Sequence, residues 1–275
     1  MILKIKGLKQ ESFEEYRAAQ GVSSHAMMAL LKSPMHYMAK YGPNAVQEPP
    51  TPAMRFGTLV HTAVLEPKRF RESFAIEPKV DKRTSAGKAQ LEEFHGSLKP
   101  GTILVGDEEA EKLLRILDNL EKHKTAKNVL TGGIAEASAY WMDANTGVNC
   151  KMRPDMMHDG GVIVDVKTTR DGSLDEFSRS IWNFGYHVQA AVYTDGYATM
   201  MSMPREKVEF LFVVIENEAP HAISVYHADH ALIEKGREKY KLALNRYLEC
   251  VSKDHWPGYS EEIESISIPA WAFGK

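Results

Sequence analysis

The 275-residue chain has only two cysteines, Cys150 and Cys250, a hundred residues apart and outside any CxxC pair. That scarcity excludes a disulfide scaffold or a zinc ribbon and fits a reducing compartment. No stretch reaches the roughly 18 apolar residues of a membrane helix. The N-terminal "MILKIKGLKQESFEEY" lacks the apolar run and cleavage site of a signal peptide, so a cytoplasmic protein with no membrane partner is expected. An excess of charge of either sign is also missing: 34 basic against 37 acidic residues give −3. Whole-chain electrostatics therefore do not announce a nucleic-acid binder, although a local basic groove would be invisible in the sum. Apolar residues make up 43%, enough for a substantial core, and the length lies near the upper end for one domain. One domain over 1–275 is expected, with peripheral helices.

Along the chain, "GVSSHAMMALLKSPMHYMAKY" has serines at its start, apolar residues at helical spacing, and a proline, Pro34, that ends or kinks the helix. It forms an N-terminal helical element within 1–50. The proline-rich "GPNAVQEPPTPAM" reads as an extended linker. "AMRFGTLVHTAVLEP" reads as a buried helix carrying one histidine, His61. From Phe70 to about Gly106 no clear period is visible, as in a surface excursion. "DEEAEKLLRILDNLEKHKTAKNVL" has acids first, an apolar stripe and bases last, the pattern of one amphipathic helix. Three strand candidates follow, "IAEASAYWM", "GVNCKMRPDMM" and "GVIVDVKTT", with turn-rich breaks that predict an antiparallel meander. Then come "LDEFSRSIWNFG", a helix "YHVQAAVYTDGYATMM", strands "KVEFLFVVIE" and "HAISVYH", and a helix from about Asp229 to Val251. The order predicts an α/β layer, with a mixed sheet flanked by helices. A core over 51–215 is followed by a C-terminal strand and helix over 216–275.

Charges interrupt the apolar pattern in "RPDMMHDGGVIVDVKTT", Arg153 to Thr169. Side chains alternate along a strand, so Asp165 and Lys167 share one face while Val164, Val166 and Thr168 share the other. Whether Asp155 joins them depends on the turn. A three-residue loop of Asp159, Gly160 and Gly161 sets Asp155 opposite Asp165; a two-residue Asp-Gly turn sets it opposite Val164. Two carboxylates held together favour a proton or a cation, and oxygen ligands select Mg²⁺ or Mn²⁺. The alternative is a surface ion pair between Asp165 and Lys167, since D-x-K is a weak pattern. Two other readings fail. No glycine-rich phosphate loop precedes "VIVDVKTT", which removes a kinase lysine strand, and His221, His227 and His230 read as scattered surface histidines.

The set Pro154-Asp155, then Asp165-Val166-Lys167, on a hairpin followed by a helix, resembles the PD-(D/E)xK nuclease superfamily. With "SSHAMMALLKSPMHY" and "GTLVHTAVLEP" before it and "YHVQAAVYTDGY" after it, about Gly21 to Tyr197 resembles the RecE, or exonuclease VIII, type of phage-recombination exonuclease. The resemblance implies a restriction-endonuclease-like fold. It assigns His61, Asp155, Asp165 and the Val166 carbonyl to the metal, Lys167 to catalysis, and Gln189 and Tyr193 to the Q-x-x-x-Y pair. Independently, Tyr186, Gln189, Tyr193 and Tyr197 fall near one helix face; packing at the core edge is an alternative, chiefly for Tyr197. The wider superfamily commonly has glutamate where Asp165 stands, which leaves metal number and geometry open. Glu136 adds an outer acid or faces solvent.

The implied activity is that of an Mg²⁺-dependent double-strand DNA exonuclease, bacterial or phage-encoded. It would run 5′ to 3′ and leave 3′ single-stranded tails for recombination by strand annealing. A ring-shaped homo-oligomer at duplex ends and a single-strand annealing partner are implied with it. Ser24, Lys32, Arg55, Lys82, Arg83 and Lys88 are candidate DNA contacts through the phosphate backbone. Two alternatives stand beside this reading. One is a catalytically silent DNA-end-binding recombination adaptor, against which the intact Asp155, Asp165 and Lys167 argue. The other is an AddB-like or CRISPR-associated relative, although those usually carry four cysteines for an iron-sulfur cluster.

Overall fold

The computed structural model describes residues 7–46, 49–99, 102–260 and 262–268. The first six residues of the N-terminal stretch, Gln47 and Glu48 of the linker, and 100 and 101 in the excursion lie outside the described residues.

Side-chain caps set most of the helix starts. Helix α1 (Phe13–Ala18) begins with a capping box between Ser12 and Glu15. Ser23 caps α2 (Ser24–Lys32), and Ser33 caps α3 (Pro34–Tyr41). The two are separate because Pro34 has no N–H to donate back into α2. Thr51 caps α4 (Pro52–Leu65), and Pro67 opens α5 (Pro67–Ser73) at once. The stretch from Phe70 to Gly106 is more regular than its sequence suggests. Strand β1 (Phe74–Ile76) pairs in parallel with β2 (Ile103–Val105), and α6 (Ser85–Ser97) lies between them. Helix α6 buries only Gly87, so it carries almost no apolar stripe to be read. The single amphipathic helix expected next is two, α7 (Asp107–Lys122) and α8 (Lys124–Val129), because the His123 side chain caps the second by accepting from the Ala126 N–H.

The three-stranded meander is corrected by the structure. The first predicted strand is broken into β3 (Ile134–Ala135) and β4 (Ala139–Met142), the second into β5 (Asn149–Met152) and β6 (Met156–Met157). Glu136 takes a left-handed φ of 51° after β3, and Pro154, with no N–H for a ladder, lies between β5 and β6. The outer pieces β4 and β5 form their own antiparallel hairpin, while β3 and β6 join β7 (Val162–Thr169). After β7 come α9 (Leu174–Phe184) and α10 (Tyr186–Met201), then β8 (Glu209–Glu216), β9 (Ile223–His227) and α11 (His230–Lys253). The main sheet runs β3-β6-β7-β8-β9; β7 and β8 are parallel and the other pairs antiparallel. This is the mixed sheet flanked by helices that the element order predicts.

Strand alternation divides the core into two layers. Ile163, Phe210, Phe212 and Val214 pack with α2, α10 and α11 on one side of the sheet. Val164, Val166, Val213 and Ile215 pack with α4 and α7 on the other. Helix α10 is buried from His187 to Ala198, as a helix enclosed on all sides must be. Small residues permit that enclosure: a Cβ on Gly236 of α11 would lie 1.9 Å from the His187 carbonyl oxygen. The α10 to α11 contact is also fixed by charge, since Arg237 donates to buried Asp195 through Nε (2.9 Å) and Nη2 (2.6 Å). Both cysteines are free and buried. His227 and His230 are exposed, but His221 is buried, with Nδ1 3.1 Å from the Glu216 carbonyl oxygen, so it is no surface histidine. Among the described residues no helix is long and apolar enough to cross a membrane.

Candidate metal centre and active site

The loop between β6 and β7 decides the site. His158 N–H donates to the Val162 carbonyl at 2.9 Å, leaving Asp159, Gly160 and Gly161 as a three-residue loop. Gly161 takes φ +87°, and a Cβ there would also meet the Lys207 carbonyl oxygen at 2.9 Å, so glycine is required twice over. The strands then pair Met156 with Val164 and Met157 with Ile163, a register that sets Asp155 opposite Asp165. Asp155 lies just beyond β6, where its Oδ2 accepts the Val166 N–H at 2.5 Å. A carboxylate thus continues the ladder where the backbone has turned away.

Asp165 and Lys167 point to the side of the sheet that α10 covers, and they are held there by a buried network. The Lys167 ammonium pairs with Asp165 Oδ2. Gln189 bridges the two: its Nε2 donates to Asp165 Oδ1 at 2.8 Å and its Oε1 accepts from Lys167 Nζ at 3.0 Å. Lys167 Nζ also lies 4.5 Å from the centre of the Tyr186 ring, a cation–π contact. Burial alone would depress the Lys167 pKa, but Asp165 and Asp155 outweigh it and hold the amine protonated. The Tyr193 hydroxyl reaches the Arg153 carbonyl at 3.4 Å, which places it on the backbone leading into Asp155 rather than on Lys167. Tyr197 donates to the His158 carbonyl at 2.8 Å and packs in the core. The spacing of Tyr186, Gln189, Tyr193 and Tyr197 therefore brings three of them onto the β6–β7 hairpin and Tyr193 onto the backbone that leads into it.

A second group of ligand atoms converges on the same carboxylate. His61 Nδ1 of α4 lies 3.5 Å from Asp155 Oδ2. One ligand atom each from His61, Glu136 and Asp155 lies within 4.8 Å of the others. The left-handed turn at Glu136 directs this acid inward, and its N–H donates to the Asp155 carbonyl at 3.1 Å. Burial, then the neighbouring Asp155, push the Glu136 carboxyl up to about 7, although Arg153 Nε donates to it at 2.8 Å. Burial, then Asp165, raise Asp155 well above the usual carboxylate range. Burial, then Lys167, lower His61, which favours the neutral imidazole that ligates metal. The Asp165 Oδ2 atom is buried, with no partner but the Lys167 ammonium. Carboxyls that resist ionisation, a neutral imidazole and an under-satisfied carboxylate oxygen fit a hard divalent cation.

The candidate DNA contacts do not gather in the same way. Ser24 is buried in the first turn of α2, with no hydrogen-bond partner for its Oγ. Lys32, at the other end of α2, lines a cavity of about 370 Å³ with Arg246 and Lys253. Arg55 is exposed and reaches the Pro50 carbonyl at 3.5 Å. Lys82 pairs with Glu77 at 2.7 Å, and Arg83 and Lys88 are exposed on the excursion. Two residues near the site were missed from sequence. His25, beside Ser24, is within electrostatic reach of Lys167 and Asp165. Arg153 donates to Glu136, to the Glu11 carbonyl (2.9 Å) and to Ser138 Oγ (3.1 Å); its signal was its place directly before Pro154-Asp155.

Comparison with known proteins agrees with this geometry. Residues 23–269 match the model of a PDDEXK-like domain of unknown function, DUF3799. A crystal structure from Eubacterium rectale, of a protein named as an exonuclease by inference, superposes with TM-score 0.64 at 14% identity. It covers 96% of this chain and 98% of that one, and shows a shared fold. A phage-related exonuclease from Haemophilus somnus 129PT aligns over 88% of this chain and 100% of that one. Its TM-score of 0.37 at 10% identity is too low to carry weight. No curated protein matches the chain. The extent of the family match, with the carboxylates and lysine in one buried network, places this chain in the PDDEXK-like DUF3799 family of the PD-(D/E)xK nuclease superfamily.

Proposed function

We propose that this chain is a metal-dependent exonuclease acting on double-stranded DNA ends. The observation that carries the reading is the convergence on Asp155: His61 and Glu136 on one side, Asp165 with Lys167 on the other. His61, Asp155, Asp165, the Val166 carbonyl and also Glu136 are the residues that would hold Mg²⁺ or Mn²⁺. A divalent cation bound there supplies Lewis acidity toward phosphate and lowers the pKa of water. Lys167 keeps its proton, so it acts as a fixed cation that donates to a phosphate oxygen and stabilises charge developing there. Gln189 holds Asp165 and Lys167 in their relative positions, and Tyr193 positions the backbone before Asp155. The 5′ to 3′ polarity, the 3′ tails for strand annealing and the ring-shaped oligomer rest on the resemblance to RecE-type enzymes.

The test uses duplexes labelled at the 5′ or the 3′ end, incubated with Mg²⁺ or Mn²⁺. Wild type is expected to release the 5′ label first, and Lys167→Ala to be slower by about 100- to 1,000-fold, as for loss of one transition-state donor. Absence of metal-dependent release, or equal rates for the variant, would leave the silent end-binding adaptor as the better reading. Early release of the 3′ label would reverse the polarity.

A further inference from the structure

The corner between α9 and α10 carries large aromatic side chains in the open. Phe184 is 65% and Trp182 58% exposed. Trp182 lies flat on the His187 ring, with centres 5.1 Å apart and planes at 12°. Phe184 is connected to the site instead. Its ring lies 5.7 Å from that of Tyr186, and the Tyr186 ring lies 4.5 Å from Lys167 Nζ. Gly185, at φ +72°, reverses the chain between the two rings. A Cβ on Gly185 would fall 2.3 Å from Met28 Cε, so the corner is pressed against α2. One turn earlier on α2, His25 feels the charges of Lys167 and Asp165. An exposed ring, a partly buried ring and the lysine therefore form one path from solvent into the site.

We propose that Phe184 is a stacking platform for an unpaired nucleobase next to the phosphate held at Lys167. The inference rests on the nuclease reading and specifies its substrate: a strand end whose terminal bases have left the duplex. A phosphate at Lys167 brings its own nucleosides close. Steps of 4.5 and 5.7 Å place the Phe184 ring no further from Lys167 Nζ than about three stacked bases at ~3.4 Å each. A phenyl ring has no hydrogen-bonding group and offers the same π-face to every base, so it would hold a strand end without reading its sequence. A paired base inside a duplex has both faces occupied by its neighbours, whereas a frayed end base has one free. A second copy of the chain could also cover such a ring, but nothing in that alternative accounts for the path that leads from it to Lys167.

The test is equilibrium binding by fluorescence anisotropy in EDTA, where cleavage does not intervene. Two short duplexes are compared, each with its last two pairs unpaired; in one, the unpaired nucleotides of the strand to be degraded are abasic. Wild type is expected to bind the base-bearing end about 5- to 150-fold more tightly, the range seen when a base loses its aromatic partner. Phe184→Ala and Phe184→Leu are expected to erase that preference while binding the abasic end as wild type does. Equal weakening on both duplexes, or an unchanged preference, overturns the proposal. A fall in molecular mass by light scattering, with the preference intact, assigns the ring to a second copy and overturns it as well. Failure of wild type to cleave with Mg²⁺ or Mn²⁺ would count against the nuclease reading separately, because the preference is measured without metal.

Discussion

At the scale of single residues, charge decides what the site groups can do. Glu136 ordinarily ionises at 4.5, and in the folded chain burial and Asp155 push it up to about 7. The folded chain thus binds this proton more tightly than the unfolded one. The resulting stabilisation is complete below about pH 4.5 and is lost as the pH rises through 7. It amounts to about 3 kcal/mol in the metal-free protein, and Asp155, also raised, adds with the same sign. In EDTA the melting temperature is expected to fall between about pH 5 and pH 8. Glu136→Gln should flatten much of that slope, and Mg²⁺ or Mn²⁺ added at the higher pH should raise the melting temperature of wild type more than that of the variant. Differential scanning fluorimetry at a series of pH values checks this. The place of Asp155 hung on the loop length, whereas Asp165 and Lys167 were legible as sharing a face because alternation along a strand is a strict rule. Glu136 was not, because its inward aim comes from a left-handed backbone turn that no periodicity encodes.

At the scale of elements, the β6–β7 loop converts a residue count into a site. Its three residues set Asp155 opposite Asp165; removal of Gly160 would leave a two-residue loop between the same flanking pair, His158 and Val162, and keep that register, whereas removal of Met157 would set Asp155 opposite Val164. The chain without Gly160 is expected to keep its circular-dichroism spectrum and its metal-dependent cleavage, and the chain without Met157 to lose cleavage by at least about 100-fold. Gly160→Asn, at a glycine with open space around it and no left-handed φ, should likewise retain cleavage. The sequence left both loop lengths open; the hydrogen bond from His158 to Val162 selects the longer one. The strands were legible as strands, but their partners were not. Pro154 and Glu136 each interrupt one candidate, and no pattern within "GVNCKMRPDMM" tells that its halves belong to different sheets. Helix α6 escaped detection for the opposite reason: its buried surface is a single glycine, so the hydrophobic period was never there.

Over the whole molecule, the proposed action on DNA sets a net charge of −3 against a polyanion, which would require basic groups to be gathered locally. Lys82, Arg83 and Lys88 all lie on the excursion after α5, and Arg83 and Lys88 are free of ion pairs among the described residues. If they touch phosphates, alanine at all three should reduce the slope of log affinity against log salt by about 0.9 for each phosphate left without its cation. Titrations of duplex DNA at several salt concentrations would read that slope, and an unchanged slope would remove the excursion from the interface. The layered architecture itself was legible from the order of helices and strands. The enclosure of α10 was not legible, because its tyrosines and Gln189 read as one face of a helix at the core edge, and the Asp195 to Arg237 contact joins residues too distant in sequence for spacing to reveal.

The carboxylate of Asp155 stands where a strand's carbonyl would otherwise accept the Val166 N–H. That amide is consequently a resident reporter at the heart of the protein. Recruitment of Asp155 by a cation should change the acceptor's charge without removing the residue, and so shift the Val166 amide resonance and its rate of exchange with deuterium. Occupancy of the centre could then be titrated in an isotope-labelled sample by nuclear magnetic resonance, with no DNA present and no bond broken.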